Sequence, residues 1–477
     1  MSYFLGIDLG ASSLKACLIN QDGQRVAMAR APIETHHPHP RWAEQNPQDW
    51  ATAMAQALTS LAEDGHALQL VQAISFSGGA HIAILCDGAA APLRPAIMWS
   101  DQRAADEAAE LAADSTVEQL SGNRPNPTWT LPQLRWLATH EADVIQATEK
   151  LFFAKDWLRF QLTDRHSSDA TEVVGGMLGD KHGQWAAPLR ALSGLDIDCF
   201  PPLLAAQAQA GTVTPQAAAQ FGLPVDCPVY QGAIDTSVEW LCAAPQSANM
   251  ASLKLASAGV LAFTTAATDN FPPVSLYPHS IEPWHYHAAG MSDCMGAIDW
   301  VRHNLTPHYD APAFAAAAKS APLGANGLLF YPYLSGARAP FWDASLTAEM
   351  TGLTRGHTAA DIARAAFEGV GHVLTAIWHD MTGRLGSKPD MLHVLGGGGQ
   401  IGFFCHMLAD MLDTPLMAAQ ESDCAFATAL LAATAHGAFS DLSQAAAAAH
   451  TPLRQFTPDK QNHARYAARH RDFMKRH

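Results

Sequence analysis

Residues 3–8, Tyr-Phe-Leu-Gly-Ile-Asp, form an almost unbroken apolar run closing on a carboxylate, and they read as a buried strand. Gly10 to Ser13 are small residues and predict a tight turn. Apolar residues resume over 14–20 as a second strand, and Asp22-Gly23 predicts a hairpin turn into a third. The chain therefore opens as an antiparallel meander whose first turn is rich in Gly and Ser. Residues 47–63 predict a helix capped by Asn46. Strands follow over 71–77, ending at Gly78-Gly79, and over 82–86, turned by Asp87-Gly88. Residues 104–113 and 132–139 predict helices.

The same pattern starts again near residue 228. Residues 228–232 predict a strand leading to Asp235, and 236–242 a helix; Pro245-Gln246-Ser247 reads as a break. Residues 251–255 and 261–266 predict a hairpin around the small-residue turn 256–259, echoing the N-terminal one. The last third predicts a helix over 359–374, a strand over 391–395, the glycine run 396–399, a helix over 402–412, a strand over 415–418 and a helix over 425–436. No short-period repeat is present. Two halves that each open with strand–turn–strand predict duplicated domains, 1–245 and 246–477, with a cleft between them.

The length of 477 residues suits two large domains, and an apolar content of 48% supplies each with a core. The net charge of −16, with no cluster of Lys and Arg, argues against nucleic acid or an anionic membrane as partner. The eight cysteines include no C-x-x-C pair, so neither a zinc site nor a dithiol motif is signalled. Scattered in this way they read as reduced and buried, and the expected location is cytoplasmic. No basic and apolar leader precedes the first strand. The longest apolar-looking stretch, 425–435, is too short to span a bilayer.

Three segments are candidates for chemistry. In Asp8-Leu9-Gly10-Ala11-Ser12-Ser13-Leu14-Lys15 a carboxylate at a strand end can hold a metal ion through water, and the small residues expose N–H groups to a phosphate. An ordinary hairpin with a solvated turn explains the same residues. In Gly232-Ala233-Ile234-Asp235-Thr236-Ser237 the carboxylate is either a helix cap or a general base at a strand end. Gly396 to Gly399, between strand and helix, let a backbone approach a flat or charged ligand. Gly397, Gly399 and Gly402 also match G-x-G-x-x-G, with Glu421 at the distance of a ribose contact, so a dinucleotide enzyme is an alternative. His36-His37-Pro38-His39-Pro40 suggests a metal, but the prolines prevent a ligating helix and a solvated loop is the better reading. Neither a P-loop nor a G-x-S-x-G elbow is present.

Taken in order, these residues resemble the FGGY carbohydrate kinases, and among them the xylulose kinases. The resemblance runs nearly end to end. It includes Gly6-Ile7-Asp8-Leu9-Gly10 with Lys15, Trp42-Ala43-Glu44-Gln45, the run Leu93 to Trp99 with Asp101 and Arg103, Lys155-Asp156-Trp157-Leu158, and Ser168-Asp169. Pro332 to Arg338, and the segment from Ala348 to Glu368, complete the series. The resemblance implies an α/β fold of two ribonuclease-H-like domains, as in actin and hexokinase, with a central cleft. It implies an ATP- and Mg2+-dependent kinase acting on the terminal hydroxyl of a ketopentose, D-xylulose first among them. It places Asp235 as catalytic base and Asp8 with Asp235 at the magnesium. Gly10, Ser12, Ser13, Lys15, Ser257 and Gly259 fall at phosphate loops, and Gly397, Gly398 and Gly399 at the adenosine. Ala80, His81, Trp99, Asp235 and Thr236 fall around the sugar. A bulky residue at Gly398 is expected to block the adenosine site.

Partners implied are the sugar and ATP, with neither nucleic acid nor membrane, and the resemblance allows a homodimer. Gly79-Ala80 replace the Gln-Met of xylulose kinases, Thr236 their Asn, and Ser257-Ala258 a Thr-Ser. Two of these changes lie on the sugar side, so another pentulose, a polyol or glycerol is an alternative acceptor. An actin-like ATPase with no sugar acceptor is the alternative of a different class.

Overall fold

A computed structural model describes residues 2–243, 250–269, 271, 273–343, 345–419, 422–449 and 452–476. The expected boundary at Pro245 and the acidic residue Glu421 lie outside the described residues. The chain divides into two compact units. The first comprises Met1–Gln246, Ala266–Tyr286 and Glu421–His450, and the second Ser247–Thr265, His287–Gln420 and Thr451–His477.

In the first unit the strands Tyr3–Leu9, Ser13–Ile19 and Arg25–Pro32 form the expected meander. Val71–Gly78 runs parallel to Tyr3–Leu9, and Pro228–Ile234 parallel to Val71–Gly78. Gln209–Thr212 closes the far edge in antiparallel pairing. The strands at the centre are mostly apolar and almost wholly buried because both faces are covered. One cover is the helix Pro47–Glu63, whose N-cap Asn46 accepts the Gln48 N–H at 3.1 Å and whose first residue is Pro47. Trp50, Met54, Leu58 and Leu61 face the core from it. The other is the helix Cys424–Ala435, which lies so close to Tyr3–Leu9 that a Cβ at Gly6 would sit 2.0 Å from the Ala425 carbonyl oxygen. Only glycine permits that approach.

The second unit repeats the plan. Ala251–Leu255 pairs antiparallel with Gly259–Thr265 and parallel with Leu392–Leu395; Leu416–Ala419 is parallel to the latter and Pro452–Phe456 antiparallel at the edge. Each unit thus sets an antiparallel hairpin beside parallel strands in the same spatial order.

Two expected elements differ. The helix expected over 236–242 is instead the short helix Asp235–Val238 continued by the 3-10 turn Glu239–Ala243. The helix expected to end at Leu374 is Ala359–Leu385, because Ile377, Trp378 and Met381 keep its apolar stripe buried for three more turns. It stops at Gly386, which is left-handed at φ 63°. Among the described residues no helix is long and apolar enough to cross a membrane. All eight cysteines are buried thiols.

Candidate active site

The central strands of the first unit bring their polar ends together. Asp8 stands in register with Ser77, and Ser77 with Ala233, two residues before Asp235. Ser77 Oγ donates to Asp8 Oδ1 at 2.8 Å, and Thr428 Oγ1 lies 2.7 Å from Ser77 Oγ. Asp8 is 5% exposed. Burial pushes its carboxyl up to about 7; Asp235 and Asp423 push the same way, while Ser77 and Lys15 oppose them.

Lys15, expected in a phosphate loop, pairs through Nζ with Asp423 Oδ2 at 2.5 Å. Asp423 also caps the helix Cys424–Ala435. Burial alone would lower the Lys15 ammonium, but Asp423 outweighs it and holds it above its ordinary value. In the turn, the Gly10 N–H donates to the Ser13 carbonyl at 3.1 Å, Ser12 is exposed and Ser13 buried.

Asp235 is the first helical residue rather than the cap, a position taken by Ile234. Its Oδ1 accepts the Thr236 N–H at 2.6 Å. Thr236 Oγ1 lies 3.0 Å from the Tyr286 hydroxyl, which burial keeps protonated by pushing it well up.

The expected sugar-side residues also gather in this unit. His81 has a left-handed backbone, φ 72°, and its Nδ1 donates to the Gly175 carbonyl at 2.5 Å. Its ring stacks on Trp129 at 5.1 Å between centroids. Tyr277 lies 6.3 Å from both rings and stacks on Tyr286 at 5.5 Å, so an aromatic tier connects His81 to Thr236. Ala80 is buried, whereas Trp99 is 42% exposed and stands beside Gly79.

Below the end of Pro228–Ile234 lies a buried ionic cluster. Lys155 Nζ donates to Asp169 Oδ2 at 2.5 Å and to Asp156 Oδ1 at 2.7 Å, with Arg159 3.5 Å from Asp156. Glu172 is fully buried and 3.9 Å from Lys155, and its carboxyl oxygens make no hydrogen bond to the described residues. Burial raises its carboxyl well above the usual range.

The second unit holds the small-residue turns. Leu392–Leu395 ends at Gly396, φ 81°, and a 3-10 turn Gly397–Gln400 leads into the helix Gly402–Leu412. A Cβ at Gly398 would meet Leu255 Cβ at 2.6 Å and Met295 Sδ at 2.9 Å, while Gly397 faces open space. The turn around Ser257 adjoins the same two residues: the Met295 N–H donates to the Ala256 carbonyl at 3.0 Å, and Ser257 O accepts the Cys294 N–H at 2.8 Å. At Gly259 a Cβ would press on Met291 and Cys294. Next to the glycine run a groove of about 860 Å³ is lined by Ala311, Ala315, Gln400, Ile401, Gly402 and Phe403.

Several motif residues are structural. Glu44 receives Arg94 at 2.6 Å and Arg103 at 2.8 Å, Asp101 also binds Arg103 at 2.8 Å, and the Arg103 guanidinium lies 3.8 Å from the Trp42 ring centre. The histidines at 36–39 sit in a loop, and no metal-holding cluster occurs among the described residues. The sequence pattern singles out Lys155, Asp156, Ser168 and Asp169 without giving them a role; it does not reveal Ser77, Thr171, Glu172, Tyr286, Asp423 or Thr428.

Residues 3–242 match the N-terminal domain of the FGGY family of carbohydrate kinases, and residues 256–436 its C-terminal domain. The chain is 32% identical over 413 residues to the xylulose kinase of Escherichia coli (strain K12), which covers 86% of this chain and 84% of that protein. It is 33% identical to the xylulose kinase of Klebsiella pneumoniae, with 86% and 84% covered. The crystal structure of xylulose kinase from Rhodospirillum rubrum superposes with a TM-score of 0.89 at 28% identity, covering 99% of this chain and 98% of that one. The fold is therefore the α/β, two-domain fold of the actin and hexokinase type.

Proposed function

The chain belongs to the FGGY family of carbohydrate kinases, and on that premise we propose that this ATP-dependent sugar kinase acts on D-xylulose and forms D-xylulose 5-phosphate. The observation that carries the mechanism is the meeting of Asp8 and Asp235 at one end of the parallel strands. Phosphoryl transfer needs positioning, charge compensation and one carboxylate to accept a proton. Asp235 is that carboxylate: it takes the proton of the terminal hydroxyl as the hydroxyl oxygen bonds to the γ-phosphorus and the bond to the ADP oxygen breaks. Its Oδ1 is fixed by the Thr236 N–H, which leaves Oδ2 for the acceptor. Thr236, with Tyr286 behind it, and the tier of His81, Trp129 and Tyr277 form the sugar side, a polar and aromatic wall suited to hydroxyls on a small carbon frame.

In the second unit, Gly397 to Gly399 and the adjoining groove offer a surface to adenosine, and the turn of Ser257 and Gly259 offers backbone to phosphate; in the first unit, Gly10, Ser12, Ser13 and Lys15 form a turn of the phosphate-loop kind. Magnesium fits the residues present. Asp235 and Asp423 raise the cost of ionising Asp8, which a cation relieves. Asp8 and Asp235 would hold it, and when bound it offsets the phosphate charge.

The test is ADP release with pentuloses, polyols and glycerol as acceptors. D-xylulose should give the highest kcat/KM. Glycerol turnover well above that of any pentulose would overturn the assignment, and ADP release insensitive to every acceptor would favour a plain ATPase.

A further inference from the structure

The strand that delivers Asp235 is irregular where it matters. Pro228–Ile234 pairs with its parallel neighbour at Val229 and Tyr230 and again at Ala233 and Ile234, with a register shift between. Gly232 in that interval has φ 76°, and a Cβ there would lie 1.8 Å from the Phe76 carbonyl oxygen. Such a bulge re-aims the residues beyond it and weakens the ladder that would otherwise hold them.

Within the bulge the Gln231 and Gly232 N–H groups donate to the Ala208 and Ala206 carbonyls at 3.0 and 2.9 Å, and side chains of and around the buried ionic cluster add the remaining support. Gln231 Nε2 donates to Asp156 Oδ1 at 2.7 Å, and its Oε1 accepts Ser167 Oγ at 2.8 Å. Beyond the bulge, the Ile234 N–H donates to Thr171 Oγ1 at 3.0 Å. The Thr171 hydroxyl donates in turn to Asp169, whose other oxygen is bound by Lys155 at 2.5 Å. An ionised Asp169 only accepts, so the Thr171 proton must point at it and a lone pair must face Ile234. Lys155, Asp169, Thr171 and Gln231 are each at most 4% exposed, so water does not compete for these bonds.

We propose that Thr171 is a positioning residue for Asp235: oriented by Asp169 and Lys155, its hydroxyl holds the Ile234 N–H and so fixes the backbone from which Asp235 projects. This rests on the reading of Asp235 as the base. A misplacement of about 1 Å can cost on the order of 10²-fold in rate. Thr171→Val, which keeps the shape and removes both bonds, should therefore lower kcat by roughly 10- to 100-fold and leave the KM for ATP unchanged. Thr171→Ser should restore most of the turnover.

The decisive comparison is a double-mutant cycle with Asp235→Asn, itself expected to lower kcat by roughly 10²–10⁴-fold. Thr171→Val should have no further effect on the residual turnover of Asp235→Asn, because its influence passes through that carboxylate. If Thr171→Val melts cooperatively but turns over within about twofold of the parent, a smaller change than misplacement implies, the proposal is overturned while the base assignment stands. The proposal is equally overturned if Thr171→Val slows Asp235→Asn by its full factor. If Asp235→Asn itself turns over normally, base and positioning residue fall together. Should Thr171→Val not fold, Thr171→Ala carries the same expectations.

Discussion

Adjacent glycines at 397 and 398 should fail in different ways when substituted. At Gly398 an added methyl would meet Leu255 Cβ at 2.6 Å and Met295 Sδ at 2.9 Å. Met295 can swing its thioether aside, but Leu255 Cβ is fixed to a strand. Overpacking of this kind costs about 1–3 kcal/mol, so Gly398→Ala should lower the melting temperature by roughly 2–10 °C. The expectation that a bulky residue at Gly398 would block adenosine therefore meets an obstacle: the side chain would strike the scaffold first. At Gly397 nothing lies within 4 Å of the added carbon, and the residue is exposed. Gly397→Val should leave the melting temperature nearly unchanged and occupy space that adenosine needs. The KM for ATP should rise on the order of tenfold, equivalent to about 1.4 kcal/mol, with the KM for sugar unaffected. Initial-rate kinetics with each substrate varied in turn, beside melting curves of both variants, makes the comparison. An unchanged KM for ATP in Gly397→Val would refute the placement of adenosine. A melting temperature unchanged in Gly398→Ala would refute the packing argument.

Two further outcomes concern stability. Gly6→Ala would set a carbon 2.0 Å from the Ala425 carbonyl oxygen and 2.3 Å from the Ala429 nitrogen, both backbone atoms of one helix. It should destabilise by about 3 kcal/mol or more, and a melting temperature equal to the parent's would count against the close approach. His372 and His470 are buried, and burial holds both rings below their ordinary value, His470 at about 4. The unfolded chain then binds more protons than the folded one between about pH 6.5 and pH 4, so this contribution is complete above that window and is lost as pH falls through it. His470→Gln should flatten the fall in melting temperature between about pH 7.5 and pH 5; an identical pH dependence in the variant would exclude His470 as a cause.

What is legible in the sequence is local. Asn46 before Pro47 marks a helix start by chemistry that needs no tertiary partner, and Pro47–Glu63 begins there. Asp8 and Asp235 stand out because each closes an apolar run. What surrounds them is hidden by distance along the chain. Lys15 meets Asp423 across 408 residues and Ser77 meets Thr428 across 351, and no spacing rule reaches so far. Lys15 in a Gly- and Ser-rich turn resembles a phosphate ligand whether or not a carboxylate waits for it. The cap reading of Asp235 misses by one position because the strand continues through a bulge, for which Gly232 is the lone local sign. The end of Ala359–Leu385 is missed because Ile377, Trp378 and Met381 carry the buried stripe past Leu374, and burial there is set by the rest of the unit.

The repeated sheet gives the two units one plan on which different residues are set. In both, the second parallel strand reaches a glycine that packs against the last residue of the first: Gly78 against Leu9, and Gly396 against Leu255. The steric demand is strict at Gly396, where a Cβ would lie 2.7 Å from the Leu255 carbonyl oxygen, and mild at Gly78, where it would touch Leu9 at 3.4 Å. The residues around that point then diverge. The first unit places Asp8 and Asp235 beside it, with a buried ionic cluster beneath. The second has Ser257, Gly259 and Gly396 to Gly399, which carry no charge and let backbone reach a ligand. Charge acts on the reaction coordinate, whereas close backbone approach acts on binding. Substitutions at the first unit's carboxylates should accordingly appear in kcat, and those in the second unit's turns in the KM for ATP.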